Sequence, residues 1–297
     1  MRLAYAGTSS FGAMTLRELL SQGGHDVVLV VTRPDRPRGR HGTPQPSPVK
    51  EVALAAALPI LQPERLHDAA LRELLETRPD MFVVCAYGEI IGSEVLQAIP
   101  TLVVHPSALP RWRGAAPVQR ALMAGETTLG VAILRMVEAV DAGPIGESLE
   151  VRVPADADSG RAFEILAPAA AAALLQTLAA IDDGTVVWTE QTGTPSLARK
   201  ITKDDRRIDW RRDAQQIVDQ VRALSPDVGA RTQLEGRDVM VWRAATLEEP
   251  PDSAEGDRLV VPAGRGCVEI LELQAPGGRR QSTATFLRGA GRWLTGR

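Results

Sequence analysis

The chain has 297 residues, of which 44% are apolar and 24% are charged, and its formal net charge is −3. At roughly 150 residues per domain, this length predicts two globular domains with a core large enough to fold without disulfides or metal. A membrane-spanning helix needs about 18 consecutive apolar residues, and no apolar run in the chain approaches that length. The two cysteines are too few for a disulfide scaffold or a four-thiolate zinc site. Cys85 lies in an apolar run and is interpreted as a buried thiol, which favours a reducing, cytoplasmic location.

Short apolar runs alternate with amphipathic helical patterns through the first half of the chain. This alternation predicts βαβ units, and therefore an α/β fold with a mostly parallel sheet covered by helices on both faces. In such sheets the ligand site lies at the carboxyl ends of the strands. The predicted strands are residues 3–6, 27–32, 81–86, 102–104 and 130–134, and the predicted helices are residues 11–20 (with Ser10 as N-cap), 48–57, 67–76, 93–98 and 116–124.

The second half of the chain changes character. A long Ala- and Leu-rich helix is predicted over 159–181, interrupted at Pro168, and another over 214–224, opened by Asp213. Short alternating segments separated by Gly or Asp then predict a small antiparallel barrel. From residue 200 onward there are 17 Lys and Arg against 15 Asp and Glu, so this weakly basic part permits an RNA-contacting role. The alternating segments are residues 230–234, 239–242, 259–261 and 267–271.

A proline-rich basic segment joins the second predicted strand to the next helix. Residues 33–50 contain five basic residues, one acid and five prolines. Connections of this length are usually functional or disordered, so the segment is either a loop that contacts phosphates or a solvated charged loop. The chain has no G-x-G-x-x-G pattern, which argues against a bound dinucleotide.

A histidine and an aspartate form the strongest candidate for chemistry. His105 directly follows an apolar strand, the catalytic position of an open α/β sheet, although a histidine satisfied in the core fits the same pattern. Asp141 precedes Ala-Gly-Pro in a tight loop and is, taken alone, typical of a turn. Paired in space, the aspartate would orient the imidazole and hold its tautomer or charge.

These residues resemble the motifs of the formyltransferase family that uses 10-formyltetrahydrofolate, in particular its members that act on methionyl initiator tRNA. The resemblance covers nearly the whole chain and is strongest over residues 105–120, His-Pro-Ser-Ala-Leu-Pro-Arg-Trp-Arg-Gly-Ala-Ala-Pro-Val-Gln-Arg. Residues 86–88, 141–143, 207–210 and the basic segment extend it. It implies a Rossmann-like catalytic domain over 1–189, a linker over 190–205 and a C-terminal, OB-like β-barrel over 206–297 that helps to hold tRNA.

The family's reaction moves a formyl group from N10 of the folate to the amino group of methionine on initiator tRNA, for translation initiation. By position, the resemblance implies that His105 and Asp141 are catalytic. It implies no metal, no membrane and no stable protein partner. The implied folate contacts are Ala86, Tyr87, Gly88, Ser107, Ala108, Leu109 and Pro110, and the implied tRNA contacts are Arg36, Arg38, Arg40 and Lys203.

The chain departs from the family pattern at one catalytic position. The family places an asparagine two residues before its histidine, where this chain has Val103, and the chain contains no asparagine at all. The segment 100–105 is also shorter than the family pattern. Losing one donor to a developing oxyanion costs about 10²–10³ in rate, and Gln119 is a candidate substitute donor. Three functions therefore stay open: an active or weakened transferase on initiator tRNA, a formyltransferase of a small amine, and an impaired relative that only binds folate or tRNA.

Overall fold

The computed structural model describes residues 1–37, 42–249 and 258–289. The strands are β1 Arg2–Gly7, β2 Asp26–Val31, β3 Arg36–Pro37, β4 Pro44–Gln45, β5 Ile60–Leu61, β6 Met81–Cys85, β7 Thr101–His105, β8 Thr128–Arg135, β9 Ile145–Arg152, β10 Ala230–Leu234, β11 Arg237–Leu247, β12 Leu259–Pro262, β13 Cys267–Gln274 and β14 Gln281–Ser282. The helices are α1 Ser10–Gln22, α2 Pro48–Ala55, α3 Asp68–Glu76, α4 Ser93–Ala98, α5 Pro117–Met123, α6 Ser159–Asp182, α7 Ala214–Leu224 and α8 Thr283–Arg288.

The chain forms two compact units, each assembled from separate segments. The first unit contains Met1–Ala115, Thr128–Val151 and Phe163–Ala198, and the second contains the intervening segments together with the chain from Arg199 onward. Helix α5 therefore belongs to the second unit, although it follows the His105 loop directly along the chain. The predicted boundaries at 189 and 206 stay a prediction.

A seven-stranded sheet in the order β5-β2-β1-β6-β7-β8-β9 organises the first unit. Neighbouring strands pair in parallel along the part of the sheet that runs β5, β2, β1, β6, β7, whereas β8 runs antiparallel to β7. The predicted α/β class with a mostly parallel sheet is thus confirmed. Because β6 and β7 are parallel, their carboxyl ends at Cys85 and His105 lie at the same edge of the sheet.

Side-chain alternation places Val103 and His105 on the same face of β7. Val103 pairs with Val84 of β6 and with Leu134 of β8 in an unbroken register that continues to His105 and Ala132. Most of the short segment 100–105 is thus the strand itself, and the ladder with β8 is unbroken from Leu102 to His105.

Two local details differ from the sequence predictions. Ser9, and not Ser10, is the N-cap of α1, because Ser9 has the extended backbone of a cap and its hydroxyl accepts from the Gly12 amide. Pro168 does not interrupt α6, which is continuous over 24 residues. Neighbouring Leu166 and Ala170 are fully buried, so packing outweighs the cost of about 3 kcal/mol that an internal proline imposes.

By length and composition alone, α6 is apolar enough to cross a bilayer. Its apolar side chains are instead enclosed by the fold, which is the pattern of a core helix. The residues at 0–1% exposure are Ala162, Leu166, Ala167, Ala170, Ala171, Ala173, Leu174 and Leu178.

The second unit is built on an antiparallel sheet in the order β10-β11-β13-β12, with β14 paired to β13. The predicted antiparallel C-terminal module is confirmed. Helix α7 presents Ile217, Val221 and Leu224 to the core at the spacing of one helix face, and they pack with Val241 and Val268 of the sheet.

Two arginines fasten α5 within this unit. Buried Arg222 pairs with Asp219 at 2.7 Å and donates to the carbonyls of Leu122 and Glu126 behind α5. Arg120 donates to both carboxylate oxygens of Asp205, at 2.6 and 2.8 Å. The Arg120 guanidinium, helped by hydrogen bonds from Thr202, holds the pKa of Asp205 far below its usual range.

Asp205→Asn is expected to lower the free energy of unfolding by about 1–3 kcal/mol at neutral pH, because hydrogen bonds to a charged group contribute that much. A depressed pKa stabilises the fold above the ordinary carboxyl pKa of 3.8, and this contribution is lost as the pH falls. The difference between the urea unfolding curves of the two proteins should therefore begin to shrink below about pH 4 and disappear only as the pH falls through the lowered pKa of Asp205.

Asp204→Asn, at an exposed neighbour in the same turn, is the matched control and should change stability little. Equal destabilisation by both variants, or a difference that stays constant as the pH is lowered below about 4, would contradict the assigned role of the Arg120–Asp205 pair.

Cys85 is expected to be inert in the folded protein. Burial raises the pKa of its thiol to about 11, and the structure confirms that Cys85 and Cys267 are free and buried. A colorimetric thiol reagent at pH 8 should detect neither cysteine until denaturant is added. Rapid labelling of a Cys267→Ser variant under native conditions would show that Cys85 is accessible.

Candidate active site

His105 ends β7 and is 5% exposed, so both of its ring nitrogens must find partners inside the protein. Its Nε2 lies 3.0 Å from the carbonyl oxygen of Trp112. A carbonyl only accepts, so this contact places a proton on Nε2. The other ring nitrogen, Nδ1, lies 3.6 Å from the Oδ2 atom of Asp141. This separation is longer than a hydrogen bond, so the carboxylate faces the ring nitrogen without bonding to it.

Asp141 is held in place by the loop that contains the histidine's other partner. Its Oδ2 accepts a hydrogen bond of 2.8 Å from the amide of Gly114, and its backbone has a positive φ of 48°. Gly114 itself has φ 119°, and a Cβ there would lie 2.9 Å from the carbonyl oxygen of Ala198. Glycine is therefore required at this position for the backbone to reach the carboxylate.

The turn after Asp141 is equally constrained. A Cβ on Gly143 would lie 1.8 Å from the carbonyl oxygen of Arg135, a separation that no side chain can adopt. The backbone of this turn therefore lies directly against the end of β8. The tight loop predicted around Asp141 is present, and it brings the aspartate to the histidine as the pairing hypothesis requires.

The loop between His105 and Gly114 is braced by its own polar groups. Ser107 is buried, and its hydroxyl donates to the carbonyl of Arg111 at 2.9 Å. The amide of Trp112 donates to the Ser196 hydroxyl, and Arg113 bonds through its backbone to Ser196 and Ala198. The Ser107 side chain thus supports the loop, whereas Ala108, Leu109 and Pro110 are the partly exposed members of the predicted folate segment.

The second predicted folate segment follows β6. Ala86 and Gly88 are exposed and both have positive φ, at 50° and 84°, so the backbone here is bent outward. Tyr87 between them is 1% exposed and packs in the core cluster of the first unit. Within the described residues, its buried hydroxyl has no hydrogen-bond partner, and burial raises its pKa. The backbone and the two small residues are therefore the parts of this segment that a ligand could reach.

Val103 lies on the same face as His105 but, unlike its neighbours Leu102 and Val104, remains partly exposed. The surface that Val103 contributes beside the histidine is apolar, because valine has no side-chain group that donates or accepts a hydrogen bond. Gln119, the candidate substitute donor, belongs to the second unit.

The basic segment is anchored at its base. Asp35 accepts from Lys50 at 2.7 Å and from Gln62 at 2.8 Å, and these hydrogen bonds lower its pKa. Arg36 is exposed in a two-residue strand with Glu64 3.1 Å away, and Lys203 is exposed in the second unit. The predicted tRNA contacts Arg38 and Arg40 lie outside the described residues.

Sequence reasoning missed Gln191, which contacts both the Asp141 turn and Arg113. It lies in the segment 190–205, which the resemblance implies to be a linker, and a single glutamine there carries no pattern that marks it. Among the described residues, no group of three or more His, Cys, Asp or Glu side chains could hold a metal ion.

Both parts of the chain match known protein families. Residues 1–178 match the formyl transferase family, and residues 200–291 match the formyl transferase C-terminal domain. The methionyl-tRNA formyltransferase of Rubrobacter xylanophilus is 45% identical over 302 residues, which cover 97% of each chain. That of Chromobacterium violaceum is 40% identical over 299 residues, covering 97% of this chain and 96% of the relative.

Solved structures share the fold. Methionyl-tRNA formyltransferase from Clostridium thermocellum superposes with a TM-score of 0.58 at 15% identity, covering 82% of this chain and 93% of that chain. HypX from Aquifex aeolicus, solved in complex with tetrahydrofolic acid, gives a TM-score of 0.64 at 19% identity over 96% of this chain and 46% of its own. The matches over both parts of the chain, and the close relatives that span its length, show that the chain belongs to the methionyl-tRNA formyltransferase family.

Proposed function

We propose that the protein transfers the formyl group of 10-formyltetrahydrofolate to the amino group of methionyl initiator tRNA, in the cytoplasm. The observation that carries this proposal is the His105–Asp141 pair at the carboxyl edge of the parallel sheet, within the family's sequence motif. The bent backbone of Ala86 to Gly88 and the partly exposed Ala108 to Pro110 segment would hold the folate at that edge. These residues offer backbone amides and carbonyls, which suit the polar edge of a pterin ring.

The reaction needs little more than charge and proton handling. The free amine of methionine attacks the formyl carbon, forming a C–N bond while the formyl oxygen takes negative charge. Collapse then breaks the bond to N10 of the folate, and N10 receives a proton. The amine loses one proton in exchange, so the products are formylated aminoacyl-tRNA and tetrahydrofolate.

His105 and Asp141 meet these needs together. The imidazole carries a donor hydrogen on Nε2, and a second proton on Nδ1 would face the Asp141 carboxylate 3.6 Å away. A proton on both ring nitrogens would place positive charge near the developing oxyanion, where fixed charge assists acyl transfer. The attacking amine loses one proton and N10 gains one, so the ring would end the reaction as it began by accepting the first and supplying the second.

Val103 removes one donor from this arrangement. The family's asparagine would project from the same strand face as His105, two residues away, and valine offers the formyl oxygen nothing. A second candidate function follows from this observation: a relative that binds folate or tRNA but turns over slowly or not at all. Formylation of charged initiator tRNA at high enzyme concentration separates the two, since bound ligand without product would favour the second. Formylation of amino sugars or nucleotides in place of tRNA would favour the small-amine alternative.

Val103→Asn is expected to raise the formylation rate at least tenfold, because one oxyanion donor is worth about 10²–10³ in rate. Val103→Ala is the matched control: it changes the space beside His105 but adds no donor, and should not accelerate the reaction. Initial rates with methionyl initiator tRNA and 10-formyltetrahydrofolate measure both variants. An unchanged rate in Val103→Asn, while His105→Ala abolishes activity, would show that the missing amide is not limiting.

Arg40→Ala is expected to weaken tRNA binding and to reduce the slope of log K against log salt concentration by about one, because one phosphate contact is lost. Arg72→Ala, on the exposed side of α3, is the control and should leave the slope unchanged. Binding titrations at salt concentrations from about 50 to about 200 mM measure the slope, because affinity that depends on phosphate contacts falls steeply over this range. An unaltered slope in Arg40→Ala would remove the basic segment from the tRNA interface.

A further inference from the structure

One side chain links the two loops that fix His105. The amide nitrogen of Gln191 donates to the carbonyl of Asp141 and to the carbonyl of Gly143, both at 2.8 Å. Its amide oxygen accepts from two nitrogens of Arg113, at 3.0 and 2.6 Å. All of these residues belong to the first unit.

The hydrogen-bonding capacity of this glutamine is fully used. A primary amide has two N–H donors and one oxygen with two acceptor positions, and all four are occupied here. No other residue of this length donates twice and accepts twice from one planar group. Glutamate would keep the contact to Arg113 but would place a carboxylate against two carbonyl oxygens.

Both partners of His105 depend on what Gln191 holds. Asp141 adopts a positive φ, a conformation costly for a residue with a side chain, and Gln191 bonds to the carbonyl of that same residue. Arg113 follows Trp112 directly, and the Trp112 carbonyl accepts from the Nε2 of the histidine. Gln191 thus joins the aspartate that faces Nδ1 to the loop end that receives Nε2.

We propose that Gln191 is a positioning residue of the formyl-transfer site, acting on His105 through the Asp141 turn; this inference rests on the proposed function. It touches neither reacting group, and its effect should appear in the chemical step. A catalytic group displaced by about 1 Å can lose on the order of 100-fold in rate, so loosening of the turn is expected to be costly.

Gln191→Glu and Gln191→Leu together test the assignment. Both variants are expected to lower kcat by about 10- to 100-fold, because each removes the two N–H groups that donate to the Asp141 turn. The KM values for folate and tRNA should change by less than about threefold. Glu190→Gln, at the exposed neighbour, is the control. Wild-type activity in Gln191→Glu combined with loss in Gln191→Leu would place the role at Arg113 alone and overturn the proposal.

A double-mutant cycle distinguishes positioning through the turn from general destabilisation. On an Asp141→Asn background, Gln191→Glu should cost little further activity, since the group it positions is already impaired. Full additivity of the two losses would contradict action through Asp141.

A spectroscopic measurement separates this inference from the proposed function. The chain has four histidines, so ¹⁵N-histidine NMR spectra can be assigned to His105 with a His105→Gln variant. Gln191→Glu and Gln191→Leu should shift the His105 ring signals toward those of Asp141→Asn, whether or not the enzyme turns over. Unchanged His105 signals in folded Gln191 variants would overturn the proposal, while an inactive wild type with shifted signals would refute only the proposed function.

Discussion

The structure of the site depends on one requirement, that a nearly buried imidazole has partners for both ring nitrogens. His105 meets it with the Trp112 carbonyl on one side and the Asp141 carboxylate on the other. These partners come from different loops, and each loop needs its own support: the Gly114 amide on Asp141, and Ser196 on Trp112. The chain between 105 and 198 is therefore organised around a single ring, because a buried polar group without partners is expensive.

The strand geometry that positions the His105 side chain also places Val103 beside it. Residues two apart on a strand share a face, so whatever stands at 103 lies beside the histidine. The register of β7 against β8 is continuous through both residues, and its register against β6 includes Val103. The chain has the paired histidine and aspartate of the proposed site but a valine two residues before the histidine, so the Val103 variants test hydrogen bonding to the oxyanion separately from that pair.

The second unit holds its helix α5 by charge rather than by apolar packing alone. Arg120 donates two hydrogen bonds to the carboxylate of Asp205, and buried Arg222 donates to a carbonyl at the carboxyl end of α5. Charged hydrogen bonds of this kind are directional, so they add to the burial of Val118, Ala121 and Leu122 in fixing the position of this seven-residue helix. Basic residues such as Lys203 remain exposed in the segment that these contacts brace, consistent with a surface that meets RNA.

The amino-acid sequence by itself determined the α/β class, the helices and the strands β1, β2, β6, β7 and β8 of the first unit, and the candidate residues His105 and Asp141, because local periodicity and motif position carry that information. It did not predict the two-residue strands β3, β4 and β5 or the partly exposed strand β9, since none of them contains an apolar run of strand length. It did not determine Ser9 as the cap of α1, the continuity of α6 through Pro168 or the role of Gln191. Ser9 caps the helix because the Gly12 amide lies within reach of its hydroxyl. Helix α6 continues through Pro168 because buried apolar residues lie on both sides of the proline. Gln191 has its role because two carbonyls and one guanidinium from distant parts of the chain meet its side-chain amide. Tertiary structure decided these points, since a hydrogen bond between residues 50 or 78 positions apart leaves no periodic trace in the sequence.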